Sequence, residues 1–255
     1  MSCCPVTAEP GRAPAPSTGV IKKVGQTTLY VTGPANAKAG VIAYPDIFGL
    51  DSGRSKADAD TLGRLGYAVV IVDLVDGDYL DADSDYQPGL FDWFKKYSLE
   101  TQFAPRIKDA VQYLKTEAGV QTVASYGYCW GSWVGATQTA TAEPLVTGHI
   151  SFHPTWFVEN LINGDGAIEK LAENVKVPQL LMAAGDDPAF VKPQGSVHKI
   201  LAARSDIGAQ SNVLEFPTEN HGWVHRGDLE NPATKKAVME AWHAAVKFIQ
   251  TVNPL

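Results

Sequence analysis

The chain has 255 residues, room for one large or two small domains, and 45% of them are apolar, enough for a sizeable core. Its 21 basic and 28 acidic residues give a net charge of −7, with no basic block, which argues against nucleic acid as a partner. No apolar run reaches the ~18 residues that cross a membrane, so no membrane partner is expected either. The N-terminus lacks the basic and apolar regions of a secretory signal. The three cysteines, Cys3, Cys4 and Cys129, cannot make the disulfide framework of a secreted domain. A reduced, cytoplasmic protein acting on a small molecule is the expectation, as a monomer or homodimer. Cys3 and Cys4 receive no role.

Residues 1–19 are rich in Pro, Ala, Ser and Gly and read as a loosely ordered tail, followed by one domain over 20–255. Thr27–Thr32 alternates as an edge strand, and Gly40–Tyr44 reads as a short buried strand. The loop Pro45-Asp46-Ile47-Phe48-Gly49-Leu50 follows it. A helix over Gly53–Leu65 turns Leu62 and Leu65 inward and Arg54, Lys56, Asp58 and Asp60 outward. Ala68–Val72 is a fully buried strand. Asp73–Gly89 is a long acidic loop, of the kind that shapes a pocket mouth. Phe91–Tyr97 reads as an aromatic helix, and Ile107, Val111 and Leu114 form the stripe of a helix ending near Thr116.

A strand then runs to Ser125, and a small-residue helix runs through Ala142. Leu145–Phe152 reads as a strand with the exit loop His153-Pro154-Thr155-Trp156. A helix around Ile168–Asn174, a strand Gln179–Ala184, a helix over residues 194–204 and a strand Val213–Phe216 come next. The loop Thr218–Trp223 and a helix from about Thr234 to Gln250 close the chain. Strands alternate with helices, so the fold class is α/β: a mostly parallel sheet with helices on both faces.

Between strand and helix lies Gly127-Tyr128-Cys129-Trp130-Gly131, the spacing G-x-C-x-G. This is the pattern of a nucleophile elbow with Cys in place of Ser. An apex residue in a strand-to-helix turn sits at strained φ/ψ, and glycines on either side relieve the crowding. The helix N-terminus favours thiolate over thiol. In a parallel sheet, ligands gather at the carboxyl ends of the strands. This chain places Asp46, Asp73, Cys129, His153, Asp186 with Asp187, and His221 there. The order Cys129, Asp187, His221 is nucleophile, acid, base. His221 takes or holds the thiol proton and later activates water. The carboxylate fixes the imidazole tautomer.

These residues resemble the dienelactone hydrolase (carboxymethylenebutenolidase) family, the cysteine branch of the α/β-hydrolases. The resemblance rests on Pro45–Leu50, Gly66-Tyr67-Ala68-Val69-Val70 with Asp73-Leu74, the cysteine elbow, and His221-Gly222-Trp223 with Arg226-Gly227. It spans about residues 27–250. Met1-Ser2-Cys3-Cys4-Pro5 and His153-Pro154 look like the eukaryotic branch.

The resemblance implies an α/β-hydrolase fold and cofactor-free hydrolysis of small esters or lactones by Cys129, Asp187 and His221. It implies an oxyanion hole of the Ile47 and Trp130 amides. It assigns Asp46 to activating the thiol, where bacterial members carry the longer Glu; a turn carboxylate is the other reading. Asp186 stands beside Asp187 as an alternative acid, and the register of Phe190 favours Asp187. Bacterial members hold the substrate carboxylate with two arginines. This chain offers His225 and Arg226 after His221, with Lys95 and Lys96 the nearest substitutes for the other arginine.

His153 either lines the pocket or bonds a loop carbonyl. Tyr128, Trp156 and Trp223 are candidate pocket walls. His149, His198 and His243 receive no role, and no metal is expected because no ligand spacing is present. Two other functions fit the same residues: a thioesterase or acyltransferase, and a thiol redox sensor on a hydrolase fold.

Overall fold

A run such as Ala68-Val69-Val70-Ile71-Val72 offers no polar face, so it is satisfied only in a sheet covered on both sides. The computed structural model, which describes residue 5, residues 7–84 and residues 87–255, places it in such a sheet. The strands are β1 (Val20–Val24), β2 (Thr27–Thr32), β3 (Ala39–Tyr44), β4 (Ala68–Val72), β5 (Thr122–Tyr128), β6 (His149–Phe152), β7 (Gln179–Ala184) and β8 (Asn212–Phe216). Their order is β1-β2-β4-β3-β5-β6-β7-β8. The β1–β2 and β2–β4 pairs are antiparallel, and the rest are parallel.

The helices are α1 (Ser55–Arg64), α2 (Leu90–Lys96), α3 (Ala104–Thr116), α4 (Trp130–Thr139), α5 (Phe157–Asn163), α6 (Ala167–Asn174), α7 (Ser196–Ala203), α8 (Trp223–Arg226) and α9 (Pro232–Val252). A single π-helical turn, Leu99–Phe103, leads into α3. Alternation along the strands sorts the core into two clusters. Ile42, Val70 and Val72 pack with Ile107, Val111 and Leu114 of α3 and with Val134 of α4. Val41, Val69 and Ile71 pack with Leu62 of α1 and with Val238, Ala241 and Ile249 of α9. Each fully buried side chain of this size contributes about 1.5–3 kcal/mol relative to exposure.

The strand order positions the site. The chain passes from β3 to β4 on one side, then returns across β3 to β5 on the other. The carboxyl ends of β3 and β5 therefore flank a topological switch point, where the connections diverge and leave a crevice. The loop Pro45–Leu50 leaves β3 there, and Cys129 follows β5.

Several expectations change. Thr27–Thr32 is not the edge, because β1 pairs outside it through a turn with Gly25 at φ 58. The strand expected from Leu145 begins at His149, and α5 and α8 form where no helix was read. Leu65, expected inward, is 46% exposed because α1 ends before it. Asp60, expected outward, is buried and accepts from the Tyr30 hydroxyl (2.7 Å) and the Thr18 amide (2.6 Å). Asp58 also turns in, accepting from the Tyr128 hydroxyl at 2.7 Å.

Residues 7–19, read as a loose tail, run across the loops as a strap. Gly53 N–H donates to Arg12 O, and Ala15 N–H to Gly53 O. Cys3 and Cys4 lie outside the described residues.

Candidate active site

Cys129 sits at φ 51, ψ −120, a region that costs a non-glycine residue of order 1–3 kcal/mol. The flanking glycines show why the turn needs them. A Cβ on Gly127 would lie 2.4 Å from the Gly131 carbonyl carbon, and one on Gly131 would lie 2.3 Å from Pro45 O. Gly131 thus lets the N-terminus of α4 touch the end of β3, bringing the Trp130 amide toward the Ile47 loop. Neither the Ile47 nor the Trp130 N–H is used by a loop or cap hydrogen bond among the described residues. The Thr155 hydroxyl, on the loop after β6, donates to Cys129 Sγ at 3.3 Å.

Beyond β7, Asp187 Oδ1 lies 2.6 Å from His221 Nδ1. Asp187 Oδ2 accepts from the Ala184 amide at 2.7 Å. Asp186 does something different: its Oδ1 accepts the His221 backbone N–H at 2.7 Å. Adjacent carboxylates therefore hold the ring and the main chain of one histidine. His221 Nε2 has no nitrogen or oxygen partner among the described residues and interacts with the Cys129 thiol. Burial disfavours the imidazolium, but the charge on Cys129, then that on Asp187, outweighs it and lifts His221 to about 10. At neutral pH this favours an imidazolium beside a thiolate. Burial raises Asp187, opposed by the His221 charge.

Asp46 is fully buried and heavily used. Its Oδ1 accepts from Phe48 N–H (3.0 Å), and its Oδ2 accepts from Ser52 Oγ (2.9 Å), His225 Nε2 (2.7 Å) and Arg226 Nη1. Burial favours the neutral acid, but Arg226 and then His225 outweigh it and hold the carboxyl below its usual range. Burial likewise pushes His225 down to about 4 despite Asp46, so it is a neutral donor. Arg226 also donates to Glu9 O at 3.1 Å. His225 stacks on the Tyr128 ring at 4.2 Å.

A match to the model of the Dienelactone hydrolase family covers residues 28–253. The chain belongs to the dienelactone hydrolase family. Family membership makes it a hydrolase acting on ester bonds. An uncharacterized AIM2 family protein of Schizosaccharomyces pombe is 28% identical over 98% of this chain and 99% of its own length. A carboxymethylenebutenolidase homolog of Rattus norvegicus is 28% identical, covering 89% of this chain and 88% of its own. A putative dienelactone hydrolase of Klebsiella pneumoniae shares the fold with a TM-score of 0.63 at 15% identity, over 89% of this chain and 98% of that one.

Against the family pattern, the structure brings Cys129, Asp187, His221, His153, Asp46, His225 and Arg226 together. The ring of His153 lies 4.9 Å from that of His221 and 5.3 Å from that of His225. Its Nδ1 takes the Cys129 amide at 3.2 Å rather than bonding a loop carbonyl. Tyr128, Trp156 and Trp223 are fully buried. Trp156 Nε1 bonds Ser151 Oγ at 3.3 Å, and Trp223 packs on Phe216 at 4.5 Å, so both also fill core. Lys96 lies exposed in an ion pair with Asp78, and Lys95 is exposed.

Three features escaped the sequence reading. Thr155 is one, and its sequence signal is a hydroxyl two residues beyond His153. Arg54 donates to the carbonyls of Trp223, Val224 and Gly227, anchoring α8. The strap reaches the site: Glu9 N–H donates to His221 O at 2.8 Å, and the Thr7 hydroxyl to Asp186 Oδ2 at 2.6 Å.

The centre is closed. Cys129 is 0% exposed and His221 1%. The acidic loop folds over the Ile47 loop, with Leu80 N–H on Ile47 O at 2.9 Å and the Tyr79 ring against Gly49. A cleft of about 450 Å³ lined by Tyr97, Trp133, Glu159 and Lys170 opens beside α4, and Cys129, Asp187 and His221 are not among its lining residues.

Proposed function

We propose that the protein hydrolyses small esters or lactones through a Cys129 acyl-enzyme, without a cofactor. The observation that carries this reading is the buried 2.6 Å bond from Asp187 to His221, whose other nitrogen interacts with a cysteine held at a strained elbow. The Cys129 thiolate attacks the carbonyl carbon. The oxyanion forms against the Ile47 and Trp130 amides, donors aimed where charge develops. On collapse, the carbon–oxygen bond to the leaving group breaks, and the His221 imidazolium gives that oxygen a proton. Neutral His221 then takes a proton from water, whose oxygen attacks the thioester, and Cys129 leaves as thiolate. Asp187 keeps its charge throughout and holds the ring. In this reading Asp46 acts on the thiol through its charge and through the loop it braces.

The test is hydrolysis of a dienelactone and of a nitrophenyl ester by wild type and by Cys129→Ala, with mass analysis of the quenched enzyme. Turnover and an acyl adduct on Cys129, both lost in the variant, are expected. Full activity in Cys129→Ala would sink the mechanism.

A further inference from the structure

We propose that His153 is a further catalytic residue: its Nε2–H donates a hydrogen bond to the leaving-group oxygen of the bound ester. This rests on the ester-hydrolase reading above and assigns a role within that site. The argument begins with the tautomer. The Cys129 backbone N–H, shared with Phe152 O at 3.1 Å, points at His153 Nδ1 at 3.2 Å. A backbone N–H can only donate, so Nδ1 presents its lone pair. A neutral ring then carries its proton on Nε2. Burial holds the ring neutral, reinforced by the positive charge of His221, and places its pKa well below the usual histidine value.

That leaves Nε2–H as a donor with no partner among the described residues, fully buried. Buried donors are nearly always paired, so an unpaired one at a reaction centre points to a partner brought by the ligand. Two aromatic rings flank the His153 ring. It is stacked against His225 at 5.3 Å and Tyr128 at 5.8 Å, near parallel to both. Its backbone is held at φ 38, a strained conformation of the kind found at functional sites.

Position selects the atom it serves. The Ile47 and Trp130 amides approach from the β3 and α4 side, where the carbonyl oxygen goes. His153 stands after β6, edge-on to His221, which protonates the leaving group. When the carbon–oxygen bond breaks, the electron pair moves to the leaving oxygen and the proton comes from His221. His153 keeps its own proton and stabilises the charge on that oxygen before the transfer is complete.

The prediction is a loss that depends on the leaving group. His153→Asn keeps a residue tolerant of positive φ and an acceptor near the Nδ1 position, but is too short to donate from Nε2. His153→Gln carries its amide to the Nε2 position and can donate there, while giving up the acceptor at Nδ1. Acylation of Cys129 is measured under single-turnover conditions with acetate esters of nitrophenol, phenol and a simple alcohol. For the poorest leaving group, His153→Asn should lose about 10- to 100-fold, the scale of a hydrogen bond to a developing charge. For the nitrophenyl ester the loss should stay under about 3-fold, since that oxygen needs little help. His153→Gln should recover part of the difference. An equal loss across the series, or none, overturns the inference while leaving Cys129 acylation standing. A fall in iodoacetamide alkylation equal to the loss also overturns it, because that assigns His153 to the thiolate. Wild type that forms no acyl adduct with any ester refutes the hydrolase reading, and this inference with it.

Discussion

Replacing Asp187 by Asn removes one charge and keeps the shape, and the structure fixes how the new amide must sit. Asp187 Oδ2 accepts the Ala184 N–H at 2.7 Å, and an amide nitrogen cannot accept, so the Asn oxygen takes that place. The NH₂ then faces His221 Nδ1, which sits 2.6 Å from Asp187 Oδ1. Nδ1 must become the acceptor, and the imidazolium loses its partner. A hydrogen bond to a charged group contributes about 1.5–3 kcal/mol, or roughly 10- to 150-fold in rate. Tautomer inversion in serine triads costs about 10⁴-fold, so a kcat loss of about 10²–10⁴ is expected here. Asp186→Asn is the control. Its amide oxygen can still take the His221 N–H, and the amide NH₂ can donate to the Thr7 hydroxyl in place of accepting from it, so the loss should stay under about 3-fold. Burst kinetics with a nitrophenyl ester measures both. Iodoacetamide alkylation against pH reads the thiolate–imidazolium pair without any substrate, and only Asp187→Asn should shift that profile. Equal losses in the two variants, or an unmoved alkylation profile in Asp187→Asn, would refute the assignment of the acid.

Arg226→Met leaves the Asp46 carboxylate buried against neutral donors and should cost about 3–5 kcal/mol, lowering Tm by ~2–4 °C per kcal/mol. Adding Asp46→Asn should recover much of it, and a double variant as unstable as the single would contradict the ion-pair account. Deleting residues 1–12 removes the strap bonds to His221 O, Asp186, Arg226 and Gly53, so kcat/KM should fall about 3- to 10-fold. An unchanged rate shows that the strap does not position His221.

His221 is raised above its usual 6.5 to about 10, so its contribution to stability is complete below 6.5 and is lost as pH rises through about 10. Turnover, which needs the His221 proton, should fall along that alkaline limb while iodoacetamide alkylation, which needs only the thiolate, does not, and a turnover limb near 7 would contradict the pair. Asp58 is raised from 3.8 to about 7 because burial outweighs the Tyr128 bond and the Arg54 charge. The folded state then holds the extra proton, so stability falls as pH rises from about 4 to 7. Comparing Tm at pH 5 and pH 8 should show Asp58→Asn flattening that slope.

The sheet was legible wherever burial wrote both faces in apolar residues. Ala68–Val72 and Gln179–Ala184 show their full bounds in the sequence. Val20–Val24 does not, because it is exposed, carries two lysines and exists through its pairing with β2. Four-residue α8 carries too short a pattern to show periodicity. The site was legible as residue types at strand ends, which is how Cys129, Asp187, His221, Asp46 and His153 emerged. Contacts between distant segments were not. The Thr155 hydroxyl meets Cys129 across 26 positions, and the two aspartates differ only in whether each meets the ring or the main chain of His221.

The Asp46 cluster shows what such contacts accomplish. Asp46 and Ile47 leave β3, while His225 and Arg226 follow His221 nearly 180 positions later. The carboxylate joins these segments, and Arg226 extends the join to the strap at Glu9. A buried ion pair is weak evidence for stability, since apolar residues of similar volume often serve as well. Its value here is geometric. Reacting groups must be held within about 0.5 Å of productive geometry. One carboxylate bonded to Phe48 N–H, Ser52, His225 and Arg226 fixes the Ile47 loop relative to the segment that carries His221. A longer side chain at position 46 would have to push α8 away or give up one of those bonds. Position 46 and the segment 225–226 therefore have to be matched to each other.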